Sequence, residues 1–149
     1  MHWIDPACLP ETRGRVTQFL LNKHGDLDGL ILDHTSADPL ARRSLRVAMG
    51  TAFALPHART THLADDLGHL PGWQLLAMTP HASATSLDDV VVQERVAVLI
   101  GSERAGLGEE LLALATPVRI PMADGVDSLN AAAATAVACF ALRRSAPRT

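Results

Sequence analysis

Residues 96–108 read Val-Ala-Val-Leu-Ile-Gly-Ser-Glu-Arg-Ala-Gly-Leu-Gly, a continuous apolar run that breaks at Gly101 into a glycine-rich loop. A buried strand feeding such a loop and then a helix aims backbone N–H groups and a helix start at a ligand. Gly106 and Gly108 give the loop backbone freedom that other residues lack. A phosphate-binding P-loop needs Lys and Ser/Thr after its second glycine, and Leu107 and Gly108 stand there instead. A GxGxxG dinucleotide fingerprint does not fit either. Glu103 therefore has two readings: a solvated or capping carboxylate, or an acceptor facing a bound ligand.

A second stretch, Val-Arg-Ile-Pro-Met-Ala-Asp-Gly-Val-Asp-Ser-Leu-Asn at 118–130, repeats the plan. An apolar strand ends at Pro121, a loop carries Gly125, and Ser128 is placed to cap a helix with Asn130 in its first turn. Read alone this is an ordinary strand–loop–helix connection. Ligand sites in open α/β sheets, however, lie beyond the carboxyl ends of strands. Two such ends, at Gly101 and Ile120, are both rich in loop residues. A third stretch, 37–59, concentrates Arg42, Arg43 and Arg46 on one short helix, with Arg59 downstream. It reads as a solvated face or as a phosphate-contacting patch. The histidines show no i, i+4 pair on a convincing helix, so His57 and His81 read as surface residues and no metal is expected.

The elements that must hold these segments follow from pattern. Residues 15–23 fit a helix ended by Gly25. Residues 29–32 form a short buried strand. Asp38 and Pro39 suit a helix start, with Gly50 as its stop. Residues 53–55 are a strand candidate, 63–70 a helix, and 73–78 and 96–100 strands. Residues 111–115 are the centre of a short helix with Glu109 and Glu110 in its first turn, where the helix dipole favours negative charge. Residues 118–120 are a strand. An Ala-rich helix runs from Ser128 to about Arg144, with Leu129, Ala133, Val137 and Phe140 at helical spacing on its apolar face. Alternating strands and helices predict an α/β fold with a mostly parallel sheet and helices on both faces. The chain, 149 residues and 48% apolar, is sized for one domain with an aliphatic core, since only 3% is aromatic. A net charge of −3 argues against a free-standing nucleic-acid binder, though not against a local basic patch. Cys8 and Cys139 read as free thiols in a reducing compartment. No apolar run approaches the ~20 residues of a membrane span, and no signal-peptide pattern opens the chain. The expected location is cytoplasmic.

Taken together, the segments resemble the SpoU (TrmH-like) branch of the SPOUT RNA methyltransferases over roughly residues 27–144. The resemblance is carried by Gly101-Ser102-Glu103-Arg104-Ala105-Gly106-Leu107, by Ile120-Pro121-Met122 with Ser128-Leu129-Asn130, and by the Ala-Asp-Pro and Arg-x-x-Met-Gly stretch at 37–50. It implies an α/β fold with a C-terminal trefoil knot and a homodimer formed through the C-terminal helix. It implies S-adenosylmethionine as cofactor, contacted at Thr79, Gly101, Ile120, Met122 and Leu129. It implies transfer of a methyl group to a ribose 2′-hydroxyl of tRNA or rRNA, with Glu103, Ser128 and Asn130 at polar active-site positions. For such a substrate the patch read above supplies Arg42, Arg43, Arg46 and Arg59 as RNA-contacting candidates.

The resemblance departs in the N-terminal motif, Asn-x-Gly-x-x-x-Arg, whose arginine handles the proton. Aligned at Gly14, its Asn is Thr12 and its Arg is Gln18. Residues 1–26 thus read as a divergent segment, or as residues not native to the domain, and 27–149 as the methyltransferase domain. Two functions stay open: an RNA 2′-O-methyltransferase, or a catalytically silent relative acting as a dimeric module that binds cofactor and RNA.

Overall fold

The computed structural model describes residues 17–21, 27–102, 105–123, 125–126 and 129–145, with 17–19, 27–28 and 144–145 described by backbone alone. Seven strands form one sheet: β1 (Thr17–Leu21), β2 (Leu27–Asp33), β3 (His57–Thr60), β4 (Gln74–Met78), β5 (Thr85–Ser86), β6 (Val96–Ile100) and β7 (Thr116–Arg119), in the order β3-β2-β1-β6-β4-β7-β5. The β2/β3, β4/β6, β4/β7 and β5/β7 pairs are parallel, and β1 alone runs against both of its neighbours. Because of that reversal, Thr17 lies beside Ile100 and Leu32, at the edge where the other strands end.

Among the described residues the α-helices are α1 (Arg42–Ala48), α2 (Leu63–Gly68), α3 (Glu109–Leu114) and α4 (Ala131–Ser145). All of β6 is buried, as expected of a central strand covered on both faces. Its alternate residues Val96, Val98 and Ile100 join Leu76, Val118, Ala138 and Leu142 in the α4 layer. Leu99 and Ala77 point the other way, into a layer with Leu63, Leu67, Leu107 and Leu111 of the α2–α3 side. Among the described residues no helix is long and apolar enough to cross a membrane.

Several local expectations are corrected. The helix expected over 15–23 is a strand at 17–21: Thr17 and Phe19 favour extended backbone, and the slot between β2 and β6 supplies ladder partners on both sides. The strand expected at 53–55 is a 3-10 turn, Thr51–Phe53, and the strand begins only at His57. Asp38 caps a turn before α1 rather than α1 itself, its Oδ1 accepting from the Leu40 N–H at 2.9 Å, and the helix starts at Arg42. In α4 the first helical residue is Ala131, and the Asn130 side chain caps it, accepting from the Ala132 N–H at 2.9 Å. Ser128, expected as the cap, lies outside the described residues. The helix face is also rotated from the expected one. Ala138 and Leu142 are 0% and 1% exposed, whereas Val137 and Phe140 are 41% and 63% exposed. Small Ala138 lets the helix sit close on β6, and the bulkier stripe is turned outward.

The loop after β2 is tied at both ends. Asp33 accepts from the Thr35 N–H (2.8 Å) and hydroxyl (2.5 Å), and the His34 imidazole stands 3.3 Å from its other oxygen. Burial pushes the Asp33 carboxyl up, but the Thr35 hydrogen bonds and His34 outweigh it and hold it below the usual carboxylate value. A lowered folded value means the stabilisation is complete above the ordinary carboxylate pKa of about 3.9 and fades as pH falls through the folded value. Urea unfolding of the parent and of Asp33→Asn should therefore differ by about 1 kcal/mol from pH 5 to 8. The gap should begin to narrow below about pH 4 and close only once pH has fallen below the folded value. A gap that does not narrow at all as pH falls from about 5 to about 2 would mean that the charge is not what stabilises the loop.

Candidate active site

The parallel strands deliver their carboxyl ends to one edge, and there β4, β6, β7 and the start of α4 border a cleft of ≈ 720 Å³. Thr79, Gly101, Ile120, Met122, Leu129 and Asn130, singled out from sequence, all line it. Glu103, Ser128 and Thr12 lie outside the described residues. Gln18 sits in mid-β1, paired through its backbone with Ile31 and Leu99.

Gly101 determines the shape of the wall. After it the chain doubles back, with the Gly106 N–H donating to the Ser102 carbonyl (2.9 Å) and the Ser102 N–H to the Gly106 carbonyl (3.2 Å). The Ala105 N–H donates to the Ser102 hydroxyl at 3.1 Å. A Cβ on Gly101 would stand 2.2 Å from the Gly106 carbonyl carbon and 2.5 Å from the Leu107 nitrogen. Gly106 has φ +63°, which favours glycine. Gly108 has φ −66° and open space at its Cβ position, so its expected special conformation is not used.

The lining contains no Asp, Glu, Lys or Arg among the described residues; it is apolar side chains, Thr79, Ser102, Asn130, His81 and backbone. Such a slot suits a ligand held by shape and by main-chain groups rather than by a counter-charge. Pro80, His81, Leu112, Ala131 and Ala134 also line it and were not singled out from sequence. Their types say little alone, although Pro80 and His81 follow a strand end, where the strand-end rule could have found them. His81 read as an ordinary surface residue, and it is an exposed residue at the cleft lip.

A second cleft of ≈ 440 Å³ shares Ala105 and Gly106 with the first and is polar, lined by Asp33, His34, His62, Asp65 and Glu110 among others. Arg59 faces neither cleft. Its guanidinium donates to the Ser36 carbonyl (2.8 Å) and the Ala37 carbonyl (3.0 Å), so it fastens the loop between β2 and α1. Arg42, Arg43 and Arg46 are exposed on α1. Cys139 is half-buried and free, and burial pushes its thiol up, which disfavours the thiolate. Cys8 lies outside the described residues.

An uncharacterised tRNA/rRNA methyltransferase of Mycobacterium tuberculosis is 42% identical over 125 residues, which are 80% of this chain and 43% of that protein. The chain thus spans less than half the length of that curated relative. An AdoMet-bound rRNA methyltransferase from Sinorhizobium meliloti superposes with a TM-score of 0.73 at 34% identity, over 82% of this chain and 48% of that one. A structure addressing 2-OH methylation of C/U34 on tRNA superposes with a TM-score of 0.65 at 30% identity, over 77% of this chain and 76% of that one. The SpoU rRNA Methylase family profile matches residues 23–140, and the chain belongs to that family.

Proposed function

We propose that the chain is the methyltransferase domain of an RNA 2′-O-ribose methyltransferase that takes S-adenosylmethionine in the larger cleft and acts on tRNA or rRNA. The observation that carries this reading is the convergence of the described residues of both motif segments, among them Gly101, Ser102, Gly106 and Leu107 from one and Ile120, Met122, Leu129 and Asn130 from the other, on one cleft of ≈ 720 Å³ at the carboxyl edge of the sheet, whose described lining carries no charged side chain. The cleft fits the cofactor in size and in kind. Met78, Ile100, Leu107 and Ile120 offer apolar walls to a purine, while Gly101, Ile120, Met122 and Leu129 bring main-chain groups to its edges. The close approach at Gly101 is possible only without a side chain.

When bound, the cofactor supplies a methyl group activated on a sulfonium. The protein's part is positioning: holding the acceptor oxygen in line and excluding water. In this reading Glu103, Ser128 and Asn130 face the acceptor. Threading of the C-terminal segment into a knot and a homodimer through α4 and the knot region belong to the same proposal.

One observation favours the second reading, a silent binding module. No arginine occupies position 18, and the backbone there is paired with Ile31 and Leu99 inside β1 rather than lying in a loop. A neutral amide is also a poor base. Two measurements on the full chain separate the readings. Titration calorimetry with S-adenosylhomocysteine should show one site per chain. Transfer of labelled methyl from S-adenosylmethionine to bulk tRNA and rRNA should then label RNA in an alkali-resistant, 2′-O position. Calorimetric binding without transfer would establish the silent reading, and no binding would sink both.

A further inference from the structure

We infer that α1 and the turn after it form a docking surface for an unpaired segment of RNA, with Arg42, Arg43 and Arg46 on phosphates and Phe53 stacked on a base. The inference rests on the reading of the chain as acting on RNA, but it concerns a surface apart from the cofactor cleft.

Helix α1 buries none of its residues fully. Its half-buried side is Ser44, Leu45 and Ala48. At about 100° per residue, Arg42, Arg46 and Arg43 then fall within about 100° of arc on the opposite, exposed side. Among the described residues no carboxylate pairs with any of them, and the first turn of the helix holds no acidic residue. Three adjacent guanidinium groups repel one another unless an anion lies across them, and in a chain of net charge −3 their concentration is local, not general.

The turn Thr51–Phe53 packs on this helix and carries Phe53 outward at 71% exposure, with Met49 at 90%. Arg59 clamps the loop leading into α1, so the ridge is anchored beside the carboxyl edge of the sheet. Guanidinium groups beside an exposed aromatic ring suit single-stranded nucleic acid. The phosphates meet the cations, and an unstacked base covers the ring. A duplex hides its base faces, so it would use the arginines and not Phe53. A protein partner would have to bring several carboxylates to the same arc.

Fluorescence anisotropy can test this with a labelled RNA stem-loop carrying a seven-nucleotide unpaired loop, and with the blunt duplex of its stem. The stem-loop should bind more tightly than the duplex. Phe53→Ala should weaken the stem-loop by about 5- to 150-fold and leave the duplex unchanged. The Arg42→Ala/Arg43→Ala/Arg46→Ala variant should weaken both RNAs and make the slope of log K against log salt shallower by about 2. All the replaced side chains are exposed, and circular dichroism melts should match the parent. Parent-like RNA binding by both variants would overturn the inference. So would a parent that binds S-adenosylhomocysteine but neither RNA, while the cofactor reading would stand. If the Phe53→Ala change instead converts a dimer to a monomer in sedimentation velocity without altering RNA binding, the surface joins two copies and the inference fails. Absence of S-adenosylhomocysteine binding would sink the methyltransferase reading and leave the anisotropy result to decide the surface by itself.

Discussion

Gly101→Ala is expected to abolish binding in the larger cleft, lowering affinity for S-adenosylhomocysteine at least ~100-fold, and to cost about 2 kcal/mol of stability. The reason is local and hard. The added methyl would stand 2.2 Å and 2.5 Å from the carbonyl carbon and oxygen of Gly106, and 2.5 Å from the nitrogen of Leu107. All three are backbone atoms, so no rotamer change relieves the contact. The loop must swing away, and the paired bonds between Ser102 and Gly106 break with it. Ser102, Ala105, Gly106 and Leu107 all line the cleft, so the wall moves as a unit.

Gly108→Ala, in the same loop, is the matched control. Its Cβ position is open and its φ of −66° suits any residue. Stability and affinity should stay close to the parent, within about 0.5 kcal/mol. Calorimetry and a thermal melt of the two variants decide the matter. Near-parent affinity for Gly101→Ala would mean that the loop is not the cofactor wall. For a chain of this size 2 kcal/mol corresponds to a fall in Tm of about 4–8 °C.

The contrast between those two glycines shows what sequence can and cannot carry. That β6, a loop and α3 follow one another is legible because a continuous apolar run, clustered glycines and paired glutamates are local signals. Which glycine is indispensable is not legible, because the atoms that crowd Gly101 belong to residues that reach it only when the loop closes. The cleft itself was accessible through its strand ends, since Thr79, Gly101 and Ile120 all follow strands. Pro80, His81, Ala131 and Ala134 complete it through tertiary position.

The same limit explains β1. Residues 17–21 hold a weak local preference, and their state is set by β2 and by β6, whose partner residues 96–100 lie far along the chain. The 53–55 segment failed for a different reason. Gly50, at φ +82°, turns the chain into a 3-10 bend, and Pro56 then offers its carbonyl to the Leu30 N–H, so pairing with β2 starts later than apolarity suggests. Helix α4 was legible as a helix but not in rotation. Periodicity favours the bulkiest stripe, while packing on β6 favours Ala138, the residue that permits the closest approach.

That rotation has an energetic consequence of its own. Leu142 is 1% exposed and packed with Val98, Val118 and Leu76, so Leu142→Ala should cost 2–5 kcal/mol through lost burial and a residual cavity. Against a typical total of about 5–15 kcal/mol, that is a loss large enough to leave the chain partly unfolded at 37 °C. Val137, 41% exposed on the other side, is expected to behave in the opposite way. Val137→Asp should change the urea midpoint of the isolated chain little, since it empties no core site. In the proposed dimer, however, it would put an unpaired carboxylate into the face between copies. Sedimentation velocity should then show a monomer where the parent shows a dimer, because an uncompensated charge buried at an interface costs several kcal/mol. The two substitutions, five positions apart on one helix, thus separate the face that holds the sheet from the face assigned to a second copy. If Val137→Asp unfolds the chain and Leu142→Ala does not, the rotation of α4 described above is wrong. If the parent is a monomer at all concentrations, the dimer falls and the core assignment, judged by Leu142 alone, is untouched.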